Sequence, residues 1–91
     1  MHSFLVVIYH NDECVLAENV VGTFDYLARV FKASLIIVER GNPDEYRIEA
    51  VTHFGDKDPE VGRTVIFDSK MIRELAWAAK ASGMEYEEVS V

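Results

Sequence analysis

A chain of 91 residues, 49% hydrophobic and 27% charged, has the composition of one small folded domain, carries no low-complexity tract or internal repeat, and argues against a disordered chain. Its formal net charge of −7 argues against general affinity for nucleic acid or anionic lipid, which are held by positive surface, and favours basic partners. The single cysteine, Cys14, excludes an internal disulfide and makes a reducing cytoplasm the expected setting.

The run Phe4 to Tyr9 is continuously apolar and rich in β-branched residues, so it predicts a strand covered on both faces or lying centrally in a sheet. It is far shorter than the ~20 residues of a membrane span and lacks the basic front end of a signal peptide. Asn11-Asp12-Glu13 ends it. Residues 13–22 admit strand, loop or helix. Leu16, Ala17, Val20, Phe24, Leu27, Ala28 and Phe31 share helical phase, but Gly22 and the β-branched pair Val20-Val21 weaken a continuous helix. A break at Gly22 makes Thr23 the N-cap and places Asp25 in the first turn and Lys32 in the last of a helix from about Phe24 to Ala33.

Leu35 to Val38 then reads as a second strand, and Gly41-Asn42-Pro43-Asp44 as a turn. In the next segment Tyr46, Ile48, Ala50, Thr52 and Phe54 alternate with Arg47, Glu49, Val51 and His53, which predicts a third strand in a hairpin with the second. After the polar stretch Gly55 to Gly62, Thr64 to Phe67 gives a short strand. Asp68 or Ser69 caps a second helix, and Gly83 closes it as the C′ residue. Met84 to Val91 is a final strand or an extended tail.

This order predicts a single α+β domain over residues 1–91: a two-layer sandwich with a mainly antiparallel sheet and both helices on one face, in a ferredoxin-like βαββαβ arrangement. The alternative is an α-β-β-β-α core over Thr23 to Ser82 with added terminal strands. Neither architecture confers a function by itself.

The second helix carries the most informative residue. On a wheel of roughly 100° per residue, Met71, Ile72, Leu75, Ala76, Ala78 and Ala79 form one apolar arc, and Trp77 falls outside it among Lys70, Arg73 and Lys80. An aromatic ring framed by cations in an acidic molecule predicts a partner-binding face made of Lys70, Arg73, Trp77 and Lys80. The competing reading is that a loop or the tail covers the ring.

Other candidates are less specific. His10, Asp12, Glu13 and Cys14, with His53, offer metal-ligand chemistry, but their spacing matches no recurrent site. Cys14 as a nucleophile needs a positioned base, His10 or His53. Asp56, Asp58 and Glu60 alternate as in a calcium loop, yet the glycine comes at Gly62, one place after that loop's sixth position, and Phe67 stands at the twelfth, where a glutamate belongs. Asp44, Glu45, Glu85, Glu87 and Glu88 offer an anionic surface.

The reading that follows is a non-enzymatic, cytoplasmic protein-interaction module, a homodimer or a binder of another protein through the Trp77 face or a sheet edge. No catalytic residue, metal, cofactor, direct nucleic-acid contact or membrane contact is expected. One alternative is a small-molecule sensor or minor enzyme using a sheet–helix cleft lined by Tyr9, His10, Cys14 and His53. Another is an acidic nucleic-acid-mimicking inhibitor from a mobile element.

Overall fold

The computed structural model describes residues 2–54 and 62–83. Its first feature is a hairpin. Strand β1, His2–His10, turns back through Asn11 and Asp12 into strand β2, Glu13–Val21. Both turn residues have positive φ, 50° and 67°, the backbone of the two-residue turn whose twist matches the flanking strands. Asn and Asp tolerate that region because their short polar side chains bond locally. Residues 13–21, which the sequence leaves open, are therefore a strand. Ile8 faces Leu16 but Tyr9 faces Cys14, so Val15 is an extra, bulged residue in β2.

Helix α1 spans Thr23–Arg40, 18 residues, and so runs seven residues beyond the expected end at Ala33. Gly22 at φ 95° precedes it as N-cap, with no side-chain cap, so Thr23 does not act as one. The expected strand Leu35 to Val38, and its hairpin with Tyr46 onward, are overturned. Val30, Ala33, Ser34 and Ile37 recur at helical spacing on the buried side, and tertiary burial of that stripe outweighs the β preference of an Ile-Ile-Val run. Ser34 is fully buried and donates to the carbonyl of Val30 at 2.9 Å, which satisfies its hydroxyl within the helix. Arg40, not Lys32, occupies the last turn. The stop comes at Gly41-Asn42-Pro43, where the residue before proline is steered away from helical backbone. One 3-10 turn, Pro43–Glu45, follows, and the Asn42 side chain accepts from the Asp44 N–H at 3.1 Å.

Strand β3, Tyr46–Phe54, pairs with β1 on one side and with β4, Gly62–Phe67, on the other. Asp68 caps helix α2, Ser69–Ala81, by accepting from the Met71 N–H at 2.9 Å. Gly83, at φ 82°, ends it by donating to the Lys80 carbonyl.

The sheet is antiparallel throughout, in the order β2-β1-β3-β4. Val6 and Ile48 from its central strands, Ala33 and Ile37 from α1, and Ile72 from α2 form one buried cluster, so both helices cover the same face. Fully burying Ile48 or Ile72 stabilises the fold by about 1.5–3 kcal/mol each. This is the expected α+β sandwich. The described order is strand, strand, helix, strand, strand, helix: a hairpin stands where a single first strand was expected, and Met84 to Val91 lies outside the described residues. With Leu35 to Val38 inside α1, the α-β-β-β-α alternative loses its first strand. Among the described residues, no helix is long and apolar enough to cross a membrane.

Candidate functional site

Helix α2 has two unlike sides. Ile72, Ala76 and Ala79 are buried against α1 and the sheet, and the two alanines let the helix backbones approach closely. Trp77 points the other way and is 75% exposed. Ala78, expected in the apolar arc, is also exposed, so the buried stripe is narrower than the sequence pattern.

The cations around the ring have dual roles. The Arg73 guanidinium lies 2.9 Å from the Asp44 carboxylate, tying α2 to the 3-10 turn, and this hydrogen bond holds the Asp44 carboxyl below its ordinary value. Asp44 in turn raises the Arg73 pKa. Lys80 donates to Glu39 of α1 at 3.3 Å. Lys70 is exposed, as is Glu74 one turn further along. The four predicted residues therefore share one side of α2, but two are already matched by acidic neighbours. The surface is an indole framed by ion pairs rather than a purely basic stripe.

The ligand-like cluster at the end of β1 disperses into structural bonds. His10 Nε2 lies 2.9 Å from Glu45 and its ring stacks on Tyr46, with centroids 4.3 Å apart. Arg47 binds both Asp12 and Glu49 and lies over the Tyr9 ring at 4.1 Å. Cys14 is exposed and contacts the Leu16 carbonyl at 3.7 Å. Among the described residues, no group of three or more His, Cys, Asp or Glu side chains is placed to hold a metal ion. Tyr9 and Cys14 oppose each other in the β1–β2 ladder, one pleat out of phase with the core residues Val6 and Ile8, so they lie on the sheet face away from the helices. They do not line a sheet–helix cleft. His53 sits opposite Ser3 in the β1–β3 register. The calcium-like loop and Glu85, Glu87 and Glu88 lie outside the described residues, and the remaining anionic candidates, Asp44 and Glu45, are paired with Arg73 and His10.

Comparison with protein-family models, with curated proteins and with solved structures finds no match.

Two exposed features escape the sequence pattern. Phe24 and Leu27, in phase with the supposed core, are 83% and 47% exposed, while Tyr26, Val30, Ala33 and Ile37 face the sheet. Helix α1 has two apolar stripes, and periodicity alone does not say which meets the sheet. The second feature is an apolar cleft of about 300 Å³ between α1 and the β1–β2 hairpin, floored by Ile8, Leu16, Ala33 and Ile37.

Proposed function

We propose that this chain is a non-enzymatic protein-interaction module whose α2 face binds a protein partner, another copy of itself included, with Trp77 as the anchor. It acts by occupancy, recruiting or blocking that partner. The exposure of Trp77 on a helix whose opposite side is fully buried carries this reading. A tryptophan side chain brings 150–250 Å² of contact area, roughly, in a rigid form, and such residues dominate alanine scans of interfaces. Arg73 and Lys80, held by Asp44 and Glu39, form a partly pre-ordered polar rim, so less side-chain freedom is lost on binding. Lys70 completes the face. The exposed, unpaired thiol of Cys14 suits a reducing cytoplasm. Net negative charge suits a protein partner better than nucleic acid or membrane.

The deciding experiment compares wild type with Trp77→Ala in light scattering and in chemical cross-linking to cell proteins, with circular dichroism as the fold control. Loss of a dimer or of a discrete cross-linked partner in the variant supports the anchor role. Identical mass and an identical cross-linked set, with the fold intact, overturn it.

A further inference from the structure

The apolar cleft between α1 and the β1–β2 hairpin carries a cation at each end. Arg29, Ala33, Ile36, Ile37 and Arg40 follow one another down one side of α1, so this wall is apolar in the middle and ends in two arginines whose Cα atoms are about 16 Å apart along the helix axis. Ile8 and Leu16, opposite each other in the β1–β2 ladder, supply the sheet side. Among the described residues no aspartate or glutamate lines the cleft, although acidic residues outnumber basic ones by 16 to 9 in the whole chain. The local charge is therefore opposite in sign to that of the molecule.

The two ends differ. Arg29 is held by Glu18 of β2, so a second carboxylate arriving there would meet the first. At the other end Arg40 is joined by Gly41 and Tyr46. The Tyr46 ring, stacked on His10, lies so close to Gly41 that a β-carbon at this position would stand 2.9 Å from its Cε2 and 3.3 Å from its hydroxyl. Glycine at 41 lets the phenol close this end of the cleft and adds a neutral donor to it.

We infer that the cleft binds a small carboxylic acid with an apolar body, whose carboxylate accepts from Arg40 and the Tyr46 hydroxyl and whose apolar part lies between Leu16 and Ile36. A guanidinium has five N–H donors in a planar fork, more than one carboxylate uses, so Arg40 can hold the ligand's head group while serving a neighbour of its own. A cleft of about 300 Å³ is at the lower end for small-ligand pockets and suits a compact acid rather than a bulky cofactor. A cationic ligand would find no carboxylate in this lining. The site is separate from Trp77, since no residue of α2 lines it.

The probe is hexanoate, titrated into the full chain at constant ionic strength and followed by side-chain methyl shifts, against 1-hexanol and hexylammonium, which share its chain but not its charge. The expected result is saturating shifts at Ile8, Leu16, Ile36 and Ile37 with half-saturation at about 10 mM hexanoate. The alcohol should bind about tenfold more weakly and the ammonium more weakly still. Arg40→Gln should lower hexanoate affinity about tenfold and leave that for hexanol unchanged, while Arg40→Lys restores part of it. Ile36→Glu, which sets a carboxylate in the wall, should abolish hexanoate binding, and Trp77→Ala should bind normally. Arg40 and Ile36 are both exposed, so their variants keep the fold, which circular dichroism verifies. The inference is overturned if these four residues do not shift at about 50 mM hexanoate, if hexanol binds as tightly, or if Arg40→Gln binds hexanoate like wild type. Loss of binding in a folded Trp77→Ala would move the site to α2 and overturns it as well.

Discussion

Arg73 of α2 and Asp44 of the 3-10 turn are bound at 2.9 Å, joining the start of the last helix to the connection that ends the first. Glu45, the next residue, meets His10 at 2.9 Å, and its carbonyl accepts from the Asn11 N–H at 2.8 Å. One short turn thus fixes the frame beside Trp77 and the tip of the β1–β2 hairpin together.

Acid should loosen this clasp in a defined window. The hydrogen bond from Arg73 lowers the Asp44 pKa below 3.8, so its contribution to stability is complete above that value and is lost as pH falls through the lowered one. Arg73 stays charged throughout this range. Asp44→Asn should therefore melt below wild type at neutral pH, and the gap should close as pH drops below 3.8. Thermal unfolding of both proteins between neutral and strongly acid pH checks this; a gap that persists in acid contradicts it.

Ile72 and Trp77 lie five positions apart on one helix and should respond oppositely to truncation. Ile72 is fully buried in the core cluster, so Ile72→Ala should cost about 2–5 kcal/mol. Trp77→Ala removes a larger but exposed group and should change stability by no more than about 0.5 kcal/mol. Urea unfolding of the two variants measures both, and a large loss from Trp77→Ala would show that the ring is covered within its own chain.

The start of α2 depends on one carboxylate. Asp68 accepts from the Met71 N–H, a donor the helix cannot satisfy internally, so Asp68→Ala should destabilise by about 1 kcal/mol while Asp68→Ser loses much less. Equal losses from both would place the aspartate's role elsewhere.

The length of α1 is testable at Ile36, which lies on its outer side. In a helix, Ile36→Ala gains about 0.4 kcal/mol of propensity against a small loss of apolar contact, so stability should stay within about 0.5 kcal/mol. In a strand the same change would weaken the element. Amide exchange along residues 35–38 supplies an independent check, since helical protection should continue to Arg40.

Part of this fold is legible in the sequence because local and global signals agree. The alternation from Tyr46 to Phe54, the apolar run before Asn11 and the Asp68 and Gly83 caps each mark elements that the structure contains. They disagree at Leu35 to Val38, where β-branched residues lie in helical phase with Val30 and Ala33, and burial decides. β2 was hidden for a related reason. Its bulge at Val15 breaks strict alternation, and the positive-φ pair Asn11-Asp12 reads as a strand end unless the chain is seen to double back. The outward direction of Trp77 was accessible from helical phase, because α2 has a single apolar arc. The acidic partners of Arg73 and Lys80 come from distant elements, and the apolar cleft between α1 and the hairpin depends on which strand is outermost; neither is encoded in local spacing.

The bulge has a consequence for the fate of the chain at high concentration. A long, flat outer strand invites identical molecules to add one after another, the route by which native domains become fibres. The extra residue at Val15 twists the end of β2 out of register, so open-ended stacking of whole molecules along that edge is hindered. Deleting Val15 to straighten the strand should therefore raise the tendency to form thioflavin-positive aggregates, and an unchanged lag time would show that the kink offers no such protection.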